Sequence, residues 1–259
     1  MSLDFEHRSG GAVEVVDSRR RRRRIVETWE MTGSAGGRVL VDAHLPERIE
    51  RIVVMAHGAD NSREARYIEV SGKSFTRHGT AIVAMDAPGH GDRDGAAPFD
   101  SLPGLMPAVL EEWVRDHRLL LDAIGHRWAG VPIGFAGFSM GGLFGVPLMA
   151  VDLRPAACAI VIAGSTRVSY PPRLHLTDEL MEVLELTDPA VHAPRVGDRP
   201  VLLLCAEDDE IVPVDSVVAL HDAFAGPREM VVLPGTHTEW GRAAEWFRTL
   251  DEFFVRELR

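Results

Sequence analysis

Gly137-Phe138-Ser139-Met140-Gly141, a G-x-S-x-G pentapeptide followed by Gly142, decides how the rest of the chain is read. It stands between an apolar run at 131–136 (VPIGFA) and a helical pattern at 140–152. A strand that turns abruptly into a helix forces the central serine into a strained backbone conformation, and the residues on either side must be glycine because side chains there would clash. The spacing predicts strand, turn and helix in that order, which makes Ser139 a candidate nucleophile.

Outward from this point the chain alternates short apolar runs with longer helical patterns. The runs are 51–56 (RIVVMA), 80–85 (TAIVAM), 131–136, 157–163 (ACAIVIA), 200–205 (PVLLLC) and 229–233 (EMVVL). Continuous rather than alternating hydrophobicity marks strands buried on both faces. Helix candidates lie between them at 63–78, 106–126, 140–152, 214–224 and 239–258. On the last, Ala243, Phe247, Leu250 and Phe254 form one packing stripe. This alternation predicts an α/β fold with a mostly parallel sheet flanked by helices. Upstream, 24–31 and 38–44 flank the glycine-rich 32–37 (TGSAGG) and read as a hairpin. Two stretches break the pattern: 88–107, rich in Gly, Pro and Asp, reads as an ordered loop. Residues 166–198, with one helix at 177–186, read as a small cap insertion. Residues 1–22 are then an N-terminal extension to a domain at 23–259.

At 259 residues, with 46% hydrophobic and 26% charged side chains, the chain can bury a full core. No stretch approaches the roughly 18 apolar residues of a membrane span, and the first ten residues lack the apolar segment of a secretory signal, so a soluble protein is expected. Cys158 and Cys205 each sit in an apolar run, without disulfide or metal spacing; structural thiols in a reducing cytoplasm are expected. With 28 Lys and Arg against 39 Asp and Glu the net charge is −11, which disfavours nucleic acid and anionic membrane as partners. The unbroken arginine run at 19–24 dissents. Such runs are usually solvated, and acidic surface can neutralise them; an anion or partner contact is the alternative reading.

Serine is a poor nucleophile until a base takes its proton. Of eleven histidines, His237 lies in 233–240 (LPGTHTEW), between the last strand and the last helix, at the sheet edge where Ser139 emerges. The base needs a carboxylate to fix its tautomer. The run at 200–205 leads into four consecutive acids, Glu207, Asp208, Asp209 and Glu210, among which composition does not choose.

With these pieces placed, the chain resembles the α/β-hydrolase family from about Ile25 onward, and the order serine, acid, histidine is that family's order. The resemblance implies an eight-stranded, mostly parallel sheet. Members often carry G-x-x-D-x-x-V-P at the acid loop; 206–213 (AEDDEIVP) matches with Ala206 in place of the first glycine, which selects Asp209, with Asp208 one register away. His57-Gly58-Ala59 resembles the H-G-x oxyanion motif and assigns one backbone donor to Ala59, the other being Met140 at a helix N-terminus. His57 then holds the loop. Residues 86–92 (DAPGHGD) resemble a D-x-P-G-x-G turn; no second ligand cluster lies nearby, so they read as a turn rather than a metal site. All four chemical segments fall just past carboxyl ends of predicted strands, where open α/β sheets carry their sites.

The resemblance implies acyl transfer through Ser139 with no cofactor or metal, on small-molecule carboxylic esters of small or medium acyl groups, because the cap candidate is short and not strongly apolar. Residues 188–213 also resemble dienelactone-hydrolase-like and oligopeptidase-like members. Dienelactone hydrolases carry cysteine at the nucleophile position, and Ser139 departs from that pattern. Peptidase, thioesterase and acyltransferase chemistry are alternatives on the same fold. A non-catalytic binding protein is an alternative of another class, though such proteins commonly lose part of the triad.

Overall fold

Alternating side chains along each central strand are shared between two apolar layers. The computed structural model describes residues 2–6, 9–93, 106–169, 177–241 and 243–259. Its strands are β1 Glu14–Arg21, β2 Arg24–Thr32, β3 Arg38–Pro46, β4 Arg51–Ala56, β5 Thr80–Met85, β6 Ile133–Phe138, β7 Pro155–Val161, β8 Val201–Ala206 and β9 Arg228–Leu233. The helices are α1 Arg66–Phe75, α2 Met106–Arg127, α3 Met140–Val151, α4 Thr166–Ser169, α5 Asp178–Thr187, α6 Pro189–His192, α7 Val214–Ala223 and α8 Ala243–Glu257. On β4, Ile52, Val54 and Ala56 join a core with Trp113 of α2, Phe144 of α3 and Leu220 of α7. Val53 and Met55 join the opposite core with Ile68 of α1 and Trp246 and Phe254 of α8. Burial on both faces explains why the strand reads as an unbroken apolar run.

The strands form one sheet in the order β1-β2-β3-β5-β4-β6-β7-β8-β9. β1–β2, β2–β3 and β3–β5 pair antiparallel, and every pair from β5–β4 to β8–β9 is parallel. The expected hairpin is β2–β3, closed by a Gly36 N–H to Gly33 carbonyl bond of 2.8 Å. The sheet has nine strands, where the family resemblance led us to expect eight. The extra strand is β1, which takes up the first three residues of the arginine run. Seven of its eight residues are exposed, so no apolar alternation announced it.

Boundary differences have local causes. β7 ends at Val161, short of the predicted 163, because Ile162 adopts φ 47°. α1 begins at Arg66 instead of 63, since the Arg63 N–H is bonded to Asp86 Oδ1 at 2.8 Å. α8 starts at Ala243 rather than 239, with Ala243 exposed and Trp246 taking its expected place on the packing stripe. In the segment read as a cap, α4, α5 and α6 gather around buried Asp188, which accepts bonds from Ser165 Oγ (2.7 Å), Arg167 N–H (2.9 Å) and Ala190 N–H (2.8 Å). Of the predicted loop at 88–107, residues 94–105 lie outside the described residues, as do 170–176 of the cap segment.

Candidate active site

β6 runs into α3 through Ser139, which has φ 51° and ψ −115°. A side chain at Gly137 would put Cβ 2.2 Å from the Gly141 carbonyl oxygen, and one at Gly141 would lie 2.5 Å from the Ala56 carbonyl oxygen. The two pattern glycines are therefore steric requirements of the turn. The turn is pinned by a Ser139 N–H to Val161 carbonyl bond of 2.8 Å and by Gly142 and Leu143 N–H groups donating to the Ser139 carbonyl.

His237 is carried by the β9–α8 loop, with its Nε2 3.0 Å from Ser139 Oγ. Its Nδ1 lies 3.0 and 2.9 Å from Oδ1 and Oδ2 of Asp209. An ionised carboxylate only accepts, so Nδ1 carries the proton and Nε2 is left to accept from the serine hydroxyl. Asp209 is buried and further held by the Ile211 and Val212 N–H groups at 2.9 and 2.6 Å. Glu207, Asp208 and Glu210 are exposed. Geometry thus chooses Asp209 over Asp208 as the partner of His237, where composition had not. Glu210 accepts the His237 N–H at 3.4 Å.

Ala59 and Met140 line the same cavity as Ser139, and neither backbone N–H has an acceptor among the described residues. Met140 opens α3, so its amide also carries the positive end of the helix dipole. The Ala59 amide belongs to the planar Gly58–Ala59 peptide unit, whose carbonyl oxygen is held by His57 Nδ1 at 2.8 Å. His57 Nε2 accepts the Ala87 N–H at 3.0 Å, which fixes the tautomer with the proton on Nδ1. Burial pushes the His57 pKa down to about 4, keeping the ring neutral. Fixing the carbonyl fixes the opposed Ala59 N–H. Asp86 braces the neighbouring loop in the same way, being fully buried and binding both the amide and the guanidinium of Arg63 and the amide of Asp92.

Two residues went unread in the sequence. Tyr67, on α1, accepts the Gly58 N–H at its hydroxyl (2.9 Å), and its ring lies 4.5 Å from Phe138 and 5.7 Å from Trp240. Trp240 Nε1 in turn donates to the His237 carbonyl at 3.4 Å. One side chain thereby touches the Gly58–Ala59 loop, the residue before the serine and the histidine loop. Burial pushes its hydroxyl up to about 12, so it stays protonated. Ile162, the second, is a β-branched residue in the left-handed region, where such residues are rare. It lines the cavity beside Ser139. The first sits on an ordinary helix pattern and the second in an ordinary apolar run, so neither leaves a trace in spacing or composition.

The cavity has a volume of about 560 Å³ and, besides Ser139 and His237, is walled mainly by Met140, Leu143, Ile211, Val212 and Trp240. Ser169 of α4 reaches it from the cap segment. Among the described residues no group of three or more His, Cys, Asp or Glu side chains could hold a metal ion, and no helix is long and apolar enough to cross a membrane.

A strained serine turn after β6, an acid after β8 and a histidine after β9, brought together at one edge of this sheet, mark an α/β-hydrolase. Within that class the chain belongs to the serine aminopeptidase, S33, family, which matches residues 47–183, more than half of its length. Its fold is that of a cold-adapted esterase from an Arctic intertidal metagenomic library, solved with PEG bound: TM-score 0.78, 23% identity, and 100% of each chain covered. Acetyl xylan esterase 1 from Thermoanaerobacterium sp. JW/SL YS485 aligns with a TM-score of 0.73 and 16% identity over 92% of this chain and 86% of that one. The acetyl xylan esterase from Paenibacillus sp. R4 gives 0.76 and 18% over 93% and 87%. Among curated proteins, none matches the sequence.

Proposed function

We propose that the protein is a serine hydrolase that cleaves carboxylic esters of small or medium acyl groups. Ser139 is the nucleophile, His237 the general base, and Asp209 the carboxylate that orients His237. The observation that carries this reading is the continuous relay from Ser139 Oγ to His237 Nε2 (3.0 Å) and from His237 Nδ1 to Asp209 (2.9 Å), built on a strained turn. His237 takes the hydroxyl proton as Oγ attacks the ester carbonyl carbon. The amides of Ala59 and Met140 receive the negative charge on the carbonyl oxygen. The tetrahedral species collapses to an acyl-enzyme as His237 protonates the departing alkoxide. Water, deprotonated by the same ring, then releases the acid and restores Ser139. No cofactor or metal enters these steps.

The apolar cavity supports an ester with a compact acyl chain, with the described part of the cap segment reaching it through Ser169. The family's name raises peptide cleavage as a second reading. An aminopeptidase must anchor a free ammonium, and the only carboxylate among the described cavity residues is Asp60, which is exposed. This favours esters. The two buried, unpaired thiols support a reducing cytoplasm as its location.

The test is a panel of p-nitrophenyl acetate, butyrate and octanoate with an aminoacyl p-nitroanilide, alongside labelling by a fluorophosphonate. Short-chain ester cleavage and labelling are expected in the wild type, with both absent from Ser139→Ala. Undiminished cleavage by Ser139→Ala would exclude the proposed nucleophile.

A further inference from the structure

The arginine run divides by strand geometry. Side chains two apart on a strand share a face, and β1 pairs Arg21 with Arg24 and Arg19 with Val26 of β2. Val26 in turn pairs with His44 of β3. Arg19, Arg21, Arg24, Val26 and His44 therefore occupy one face, against the start of α1. There they wall a cavity of about 240 Å³ together with Arg63. Arg20 and Arg23 border a different, smaller cavity, which Arg24 also reaches.

The acids of the larger cavity are already engaged. Asp42 accepts the Thr28 hydroxyl at 2.8 Å and faces Arg63 at 3.5 Å; Glu64 faces Arg63 at 3.8 Å; Glu69 pairs with Lys73 at 2.5 Å. Arg63 also pairs with Asp86 and Asp92, although its Nε is buried without a hydrogen bond, and Arg19 is paired with Asp17 at 2.7 Å. Arg21 and Arg24 have no ion pair among the described residues. They are nonetheless direct cross-strand neighbours, an arrangement that like charges destabilise. Arg24 Nε is buried without a hydrogen-bond partner. Burial and Arg21 both press the Arg24 pKa down, with Glu69 opposing. Burial holds His44 neutral at about 4, so the positive charge here is the arginines' own.

From this placement we propose that the cavity between the β1–β3 face and α1 is a binding site for a small phosphate-type oxyanion, clasped by Arg21 and Arg24 with Arg19 at the rim. Paired guanidinium forks match the geometry and charge of phosphate oxygens. The volume admits free phosphate or a small phosphomonoester. A polyanion such as nucleic acid meets the repulsion of a chain with net charge −11, which a small ligand escapes. The site is independent of Ser139 and of the reaction proposed for it.

Isothermal titration of the full chain with inorganic phosphate, and separately with glycerol phosphate, at fixed ionic strength set by chloride tests this. Saturable binding is expected, at least about tenfold weaker in Arg21→Ser/Arg24→Ser. It should change less than about twofold in Arg20→Ser/Arg23→Ser, which loses the same charge from the other face, and in Ser139→Ala. The stronger of the two ligands identifies the source of the oxyanion. Absence of saturable binding, or equal weakening by both double variants, overturns the site in favour of a diffuse charge effect. Should the double variant unfold, as judged by circular dichroism, the single exposed substitution Arg21→Ser decides by the same comparison with Arg20→Ser.

Discussion

The carboxyl edge of the parallel strands and the β1–β2 hairpin both concentrate ionisable side chains, and they treat them in opposite ways. At the edge, groups are joined in series: Asp209 to His237 to Ser139, and Ala87 to His57 to the Gly58–Ala59 peptide. Each proton has one place to be. At the hairpin, Arg21 and Arg24 are cross-strand partners, and neither has an ion pair among the described residues. Order at the first is internal to the chain, whereas the second is completed only from outside. A substitution at the edge should therefore cost orders of magnitude in rate, and one at the hairpin should leave rate untouched.

The largest expected effect is at the acid. Asp209→Asn should lower kcat for a p-nitrophenyl ester by about 10⁴, because the amide reverses the tautomer that His237 needs. Asp208→Asn should stay within about twofold. Equal losses would mean that Asp208 carries the role.

Next comes the pH dependence of stability. Burial lowers the pKa of His57 to about 4 and that of His117 to about 3, from 6.5 in solvent. Above pH 6.5 neither the folded nor the unfolded ring is protonated, and their contribution to stability is complete. As pH falls from 6.5 toward 4 the unfolded chain binds protons that the native chain refuses, so stability declines by about 1.4 kcal/mol per pH unit for each such ring. Urea unfolding at pH 7, 6 and 5 should register this slope, and His117→Phe should reduce it by one proton.

A smaller effect is expected at Tyr67. Tyr67→Phe keeps the stack on Phe138 and removes only the acceptor of the Gly58 N–H. We expect kcat to fall about tenfold, with KM changed by less than about threefold, as for loss of loop positioning. A parallel change in Tm with kcat intact would make the residue merely structural. The smallest effect belongs to the hairpin: in phosphate-free buffer at low salt, Arg21→Ser should stabilise the fold by a few tenths of a kcal/mol by removing a like-charge neighbour. The gain should fade at 1 M salt while ester turnover stays constant.

Legibility follows the same division. Ser139 could be read because the turn that presents it tolerates only glycine at 137 and 141, and a steric demand leaves letters in the sequence. His237 could be read from its position between the last strand and the last helix. Asp209 needed the family resemblance, since four adjacent acids are chemically alike until two amides and a ring choose one of them. β1 was hidden because a strand with one face to solvent and the other to a polar cavity shows no apolar period. Tyr67 and Ile162 act through a single long-range bond and a single backbone angle, neither of which a pattern records.

β1 is also the last strand on its side of the sheet, so its outer N–H and C=O groups have no neighbouring strand among the described residues. An open edge of this kind invites a second copy to add a strand. A row of arginines makes that approach unfavourable, because an incoming identical strand would bring its own. The charge that spoils the pattern in the sequence thus gives the sheet a defined end and guards the chain against growth into aggregates.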